Sequence, residues 1–548
     1  MFFLPNAFKR LKERIFFEKG YTFNKIRLFF LIGLSIVFFL NSCKKAPEVA
    51  DTPRKEIKAK ISSYTEKYRP QFHFSPPEKW MNDPNGLVYH KGVYHLFYQY
   101  YPDDIVWGPM HWGHAVSKDM ISWQHKPIAL YPDEQGYIFS GSAVLDKNNT
   151  SGFGSKENPP LIAFYTYHDM EGEKNGTLDY QDQAIAYSLD NGDTWTKYEG
   201  NPVIPNTTGI KDFRDPKVFW HEASNKWILV LVAKDHAQFY SSDNLKDWTF
   251  MSKFGENNGA HGGVWECPDL FPLKVSGAEE EKWVLIISIN PGGPNGGSAT
   301  QYFIGDFDGN SFSTDQEANK WLDFGTDNYA GVTYNNAPDN KRVFIGWMSN
   351  WDYGQKTPTK VWRSAMTLPR ELSLIEEDGV YYLKNYVLPS FEKIVEKGTA
   401  STLKTDSKLM FTSENFNQSE IIFTTVNRNF ELSFSNKEGD VFTLLMDEAN
   451  AIFSADRTQS GVVDFEPSFG AKKHTMPISG LPEGEVEVRI VLDRSSAEIF
   501  INKGQYVMTQ QLFPRSDYTR LTIENKEVSK GLELSGFQNN AIKSIWNE

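Results

Sequence analysis

Cysteine is nearly absent. The chain holds two, Cys43 and Cys267, so the disulfide framework that staples small secreted domains is excluded. Positive charge is in deficit as well, with 57 Lys and Arg against 70 Asp and Glu and a formal net charge of −13. No long basic run offsets this, which excludes a nucleic-acid partner, whose phosphates demand a positive footprint. Long apolar runs are missing too: Leu28–Leu40 falls short of the roughly 20 residues that a membrane-spanning helix needs. From Arg69 onward no 3.6-residue apolar periodicity is sustained, which argues against a helical bundle. The Gly-rich stretch Asn290–Gly297 lacks the Gly-Lys-Ser/Thr of a phosphate-binding loop and reads as a turn or rim loop.

What is present is aromatic and β-branched. The 15 Trp, 25 Tyr and 40 Phe make up 15% of the chain, more than a generic core requires. Such residues favour strands, and flat rings in a cleft suit sugar faces. Short runs such as Gly92–Tyr98, Leu161–Tyr167, Trp227–Ala233, Trp283–Ile289 and Arg342–Met348 are separated by turns rich in Gly, Asn, Asp and Pro, the pattern of an all-β sandwich, barrel or propeller. Ser117–Trp123, Ser188–Trp195 and Ser241–Trp248 each read Ser-x-Asp followed by Trp. A repeated strand–turn signature at this spacing favours propeller blades carrying insertions.

Lys25 and Arg27 precede the Leu28–Leu40 run, and Leu40-Asn41-Ser42-Cys43 follows it. A basic segment, a short apolar segment and this ending read as a lipoprotein-type export signal over residues 1–43, with Cys43 as the lipidated residue and the membrane reached through that anchor. Residues 44–68 form a polar tether. Residues 69–385 are expected to form the propeller and 386–405 a connecting, partly helical stretch. Alternating segments such as Phe430–Phe434 and Val486–Val491 place an antiparallel β-sandwich at 406–548.

Three acidic motifs stand out. In Trp80-Met81-Asn82-Asp83-Pro84-Asn85-Gly86, Asp83 is held extended by the following proline. Phe213-Arg214-Asp215-Pro216 sets an acid beside an arginine that keeps it ionised. Trp265-Glu266-Cys267-Pro268-Asp269 gives Glu266 an apolar setting, suited to a general acid. Singly, these read as a turn acid, a surface ion pair and a core-edge acid. Together, they supply the paired carboxyl groups of glycoside hydrolysis plus a third to grip hydroxyls.

These motifs resemble glycoside hydrolase family 32, the β-fructosidases, from about Arg69 to the C-terminus. Trp107–Ala115, Phe139–Val144, Ile345–Trp351, Trp362–Arg370 and Asp493–Asn502 extend the likeness. Within the family the chain is most similar to the bacterial levanase and exo-fructanase type. The resemblance implies a five-bladed β-propeller followed by a β-sandwich, and a retaining hydrolase acting on fructans or fructo-oligosaccharides with no cofactor or metal. It implies Asp83 as nucleophile, Glu266 as acid/base and Asp215 as transition-state stabiliser, with Asn82, Gln99, Trp107, Phe139, Ser140, Arg214 and Trp347 lining the fructose pocket. One departure is Asn328, where the family more often has an aromatic, and it bears on the outer wall of the pocket.

Two rivals stay open on the residues alone. The Ser-x-Asp turns resemble those of sialidase propellers, although the Tyr nucleophile and arginine cluster such enzymes need are not apparent. A non-catalytic fructan-binding propeller is the other. His111-x-x-His114 invites a metal, but without a third ligand at a recognised spacing it reads as packing near the cleft.

Overall fold

The computed structural model describes residues 64–546 other than 415 and 528. The export signal, Cys43 and most of the polar tether lie outside the described residues. The last tether residues do not extend from the body: Tyr64 stacks on Trp546 with ring centroids 3.9 Å apart, and Tyr68 is buried against Phe513.

Five antiparallel sheets follow in chain order. Their first strands are Lys79–His90, Tyr137–Leu145, Phe213–His221, Val264–Lys274 and Tyr329–Thr333. Each packs against the first strand of the next sheet, and the fifth packs against the first, so the inner strands close a ring. This is the expected five-bladed propeller. Second strands such as Leu161–His168 and Lys226–Ala233 are buried almost throughout. Both faces of each blade meet a neighbouring blade, so a continuous apolar run rather than alternation marks these strands. The ring is latched where Lys79 and Trp80 pair in parallel with Trp362 and Arg363.

The Ser-x-Asp repeats occupy one position in three successive blades, the turn after the third strand. Ser117 Oγ accepts from Met120 N–H at 2.7 Å, and Ser188 Oγ accepts from Gly192 N–H at 2.8 Å. In the third blade the equivalent bond, 2.9 Å from Leu245 N–H, is made by Ser242, so the motif there runs Ser242-x-Asn244, one residue later than the sequence pattern suggests.

The sandwich pairs a seven-stranded sheet with a six-stranded one around a single apolar core. Strands such as Asn429–Ser435 and Val441–Asp447 alternate buried and half-buried residues, as period two predicts. The connecting stretch expected at 386–405 is shorter than that. A 3₁₀ turn, Pro389–Lys393, is followed by Val395–Glu396 and Ser401–Thr405, which already pair with the sandwich strand Leu532–Ile542. The exposed alternation of Ser401–Thr405 is too short to announce an edge strand.

The seam between the domains joins apolar clusters, such as Leu368 and Val387 with Val491 and Phe500, to a set of buried charges. Arg370 is fully buried and bonds Asp323, Asn385, Glu498 and Thr509. Arg457 reaches Asp327 at 2.6 Å. His73 lies between Asp493 Oδ2 at 2.8 Å and Glu498 Oε1 at 3.0 Å. The Asp493–Asn502 motif is therefore a docking element. The Asn290–Gly297 loop docks there as well, with Asn295 bonding Phe324 O and Thr475 O.

Candidate active site

Every inner strand of the propeller carries a register break at the same level. Asn82–Asp83, Phe139–Ser140, Asp215–Pro216, Cys267–Pro268 and Ala330–Gly331 each set two residues against one on the second strand. Such bulges bend a strand and re-aim its side chains. Pro or Gly stands within or immediately after each of them: Pro84, Gly141, Pro216, Pro268 and Gly331. These residues favour the break because proline gives no ladder N–H, and glycine allows close backbone approach. At Gly141 an added Cβ would lie 2.0 Å from the Phe164 carbonyl oxygen.

The bulges bring the three acids together. Asp83 Oδ2 accepts from Ser140 Oγ at 2.6 Å, and Oδ1 accepts from Asn82 Nδ2 at 3.0 Å. Asp215 Oδ2 accepts from Cys267 N–H at 2.9 Å. The Cys267 sulfur lies 3.7 Å from Asp83 Oδ2 and 3.6 Å from Asp215 Oδ2, so one thiol spans both carboxyl groups. Glu266 Oε1 accepts from Arg214 Nη2 at 2.6 Å, and its Oε2 accepts from the Tyr329 hydroxyl.

Arg214 does not do what its sequence position suggests. Its guanidinium pairs with Glu266 and with Asp212 at 2.9 Å, and stays 3.9 Å from Asp215. Burial, opposed by Arg214 and reinforced by the charges of Glu266 and Asp83, pushes the Asp215 carboxyl up to about 7. Burial followed by repulsion from Glu266 pushes Asp83 up to about 6, against the hydrogen bonds from Ser140 and Asn82. Asp215 is not extended before its proline. It has φ 63°, Cys267 has φ 48° and Ala330 φ 54°. Non-glycine residues held there cost on the order of 1–3 kcal/mol each, a strain that gathers at working sites. The surroundings of Glu266 are likewise more polar than the flanking Trp, Cys and Pro suggest. Trp265 and Cys267 are buried in the core, while Glu266 meets Arg214 and Tyr329.

The other candidate residues surround this centre. Gln99, which opposes the first bulge, donates to Ile138 O at 3.0 Å. Phe139 stacks on His168 at 4.2 Å, and Trp107 lies 6.1 Å from the rings of both Phe139 and Tyr137. Trp347 is fully buried beside Trp351, Trp80 and Tyr329. Asn328 does not form an outer wall. It is 1% exposed and donates to Asp323 at the domain seam, and the neighbouring aromatic Tyr329 meets the acids. Beneath the centre Lys217 pairs with Asp269 at 3.1 Å and bonds Thr333 O, filling the channel. His111 bonds Pro109 O while His114 bonds His95, so the two face different partners. Among the described residues no group of three or more His, Cys, Asp or Glu is placed to hold a metal.

Tyr329, Cys267, Asp212 and Thr166, whose Oγ1 accepts from Asp215 N–H at 3.0 Å, belong to this centre and were not singled out by sequence reasoning. For Tyr329 and Cys267 the signal is the inner-strand pattern, in which Pro or Gly recurs once per blade beside polar or aromatic residues; Asp212, just before the strand Phe213–His221, and Thr166, on the second strand Leu161–His168, carry no such mark.

Comparison with known proteins agrees with this architecture. Residues 73–385 match the glycosyl hydrolases family 32 N-terminal domain, and residues 390–540 match its C-terminal counterpart. A levanase of Bacillus subtilis is 46% identical over 506 residues, covering 89% of this chain and 72% of that protein. An extracellular exo-inulinase of Aspergillus awamori is 42% identical over 491 residues, covering 83% and 91%. A crystal structure of exo-inulinase from Aspergillus awamori superposes with a TM-score of 0.80 at 37% identity, covering 88% of this chain and all of that one. A β-fructofuranosidase from Schwanniomyces occidentalis complexed with fructosyl-erythritol gives 0.76 at 31%, covering 88% and 98%. With both of its domain models matched in order along one propeller and one sandwich, the chain belongs to glycosyl hydrolase family 32 and is a glycosidase.

Proposed function

We propose that the protein releases fructose from β-fructofuranosides, with fructans of the levan and inulin type as substrates and sucrose as a short one. The observation that carries this reading is the convergence of Asp83, Asp215 and Glu266 on one end of the propeller ring, two of them spanned by a single thiol. Asp83 attacks the anomeric carbon while Glu266 gives a proton to the departing glycosidic oxygen, which leaves a fructosyl ester on Asp83. Water then attacks the same carbon and passes a proton to Glu266, the ester bond breaks, and configuration is retained. Asp215 stabilises the positive charge that develops on the sugar in both transition states. Arg214 and Tyr329 hold the two oxygens of Glu266. Asn82, Gln99, Trp107, Phe139, Ser140, Arg214 and Trp347 surround the fructosyl unit.

Incubation with sucrose, inulin and levan, with products resolved by size, tests the substrate class: free fructose is expected, and its absence from all three sinks the reading. Asp83→Asn, Glu266→Gln and Asp215→Asn should each lower kcat by about three orders of magnitude or more. A variant that keeps more than about a tenth of the activity loses its assigned role.

Export follows from the leader. The described residues contain no helix long and apolar enough to cross a membrane. The relative from Aspergillus awamori is itself extracellular. We infer that Cys43 carries the lipid, a stable membrane anchor being made by more than one acyl chain. Metabolic labelling with palmitate should mark the full-length chain and not Cys43→Ala. Equal labelling of both would replace anchoring with plain secretion.

A further inference from the structure

A cavity of about 700 Å³ opens between the first two blades, at the end of the ring away from the acids. His90 closes the strand that begins at Lys79, and Asp83 sits near its start. Seven residues of strand separate the two, roughly 20 Å at about 3.3 Å per residue. A sugar in the catalytic centre does not reach this cavity.

Its lining sorts the possible ligands. Trp123 forms one wall, half-buried and edge-on to Phe74 at 5.4 Å. Gln124, Lys126, His90, Asn191 and Asp193 add donors and acceptors around it. Of the three lysines in the lining, Lys126 pairs with Asp193 at 2.7 Å, whereas Lys91, which donates to the neutral Asn191 Oδ1 at 2.7 Å, and Lys118 are exposed to solvent at the rim. Burial lowers the imidazoles of His90 and His95 below their ordinary value, so they stay uncharged near neutrality. An anionic ligand would meet two rim lysines whose charge water and salt already screen, together with the acids Asp119 and Asp193, and an apolar one would strand the polar groups that line the walls. A ring face beside mixed hydrogen-bonding groups suits a neutral polyhydroxylated chain. The volume falls within the range of about 300–1,000 Å³ typical of small-ligand sites.

We propose that this cavity is a second, non-catalytic binding site for a neutral oligosaccharide segment, and that it holds a distant stretch of the polymeric substrate. The ligand identity rests on the proposed function. The cavity tethers polymer, raising the local concentration of chain near the enzyme without touching the reacting bond.

The test is electrophoresis through native gels containing levan or inulin, with the full chain carrying Asp83→Asn so that the polymer survives. Adding Trp123→Ala should reduce retardation at least threefold. The pair Gln124→Ala and Lys126→Ala, which leaves the aromatic packing intact, should do the same and carries the test if Trp123→Ala does not fold. In chains that retain Asp83, sucrose hydrolysis should stay within twofold of the parent. Unchanged retardation in the folded variants overturns the proposal, as does a parent chain retarded by neither polymer. Failure of the proposed function reads differently, as a parent that releases no fructose from any of the three substrates.

Discussion

Asp83 and Asp215 ionise late because the bulges that aim them also bury them. The proposed nucleophile Asp83 and the proposed charge stabiliser Asp215 must both be ionised, so the acidic limb of the kcat/KM profile should fall between about pH 6 and 7, where the two take their protons. The same burial costs stability. A carboxyl whose folded pKa is raised from 3.8 to about 7 favours the folded state only while protonated. Its contribution is complete below the unfolded value and is lost as pH rises through about 7. Asp215→Asn should therefore melt above the parent at pH 8, with the gap closing as pH falls toward 4. Thermal unfolding monitored at both pH values decides this, and a pH-independent gap would remove burial as the cause. The three acids were legible in the sequence because each stands one or two residues before a proline in a short, unusual motif. Their electrostatics were not, because adjacency in the chain placed Arg214 with Asp215, whereas the guanidinium reaches across blades to Glu266 at 2.6 Å.

Among the elements, the inner strand does the most specific work. Its bulge needs a residue that either lacks a ladder N–H or lacks a Cβ, and Gly141 is the tightest example. An alanine there would drive a methyl against the Phe164 carbonyl and displace Ser140, which holds Asp83. Gly141→Ala should lower kcat at least tenfold and destabilise by about 1–3 kcal/mol, the usual cost of overpacking. Urea unfolding alongside sucrose turnover checks both, and an active, equally stable variant would show that the bulge tolerates a side chain. Strand existence could be read from aromatic and β-branched runs such as Leu161–Tyr167. The bulges could not, since a two-against-one register is a relation between strands and leaves only Pro or Gly as its trace. The third Ser-x-Asp turn was misread by one residue for a related reason. Ser241 and Ser242 are equivalent as letters, and only the bond from Leu245 distinguishes them.

For the whole molecule, the seam sets buried charges with matched partners among apolar clusters. His73 is the clearest titrating member. Burial opposes its charge, but the hydrogen bonds it donates to the Asp493 and Glu498 carboxylates prevail and raise it to about 9. A raised imidazole stabilises the fold fully below its unfolded value near 6.5, and this stabilisation is lost as pH rises through about 9. The parent should lose melting temperature between pH 7 and 10, and His73→Gln should lose markedly less across that window. Identical slopes would place the alkaline sensitivity elsewhere. The two-domain order was visible in the change from continuous to alternating apolar patterns. The seam was not, because Arg370, Glu498 and His73 lie far apart in sequence and each passes for a surface residue by type.

The parallel latch of Lys79 and Trp80 with Trp362 and Arg363 also sets an order of events. Asp83, the proposed nucleophile, lies in the first blade and Glu266, the proposed acid/base, in the fourth, but the ring that brings them together is shut by residues of the fifth. A ribosome must therefore deliver almost the whole propeller before any catalytic centre exists, and a chain interrupted earlier is inert however well its individual blades have formed. Contacts of such sequence separation form slowly. Hydrolytic activity is thus a late product of assembly, arriving after most of the strand structure is in place.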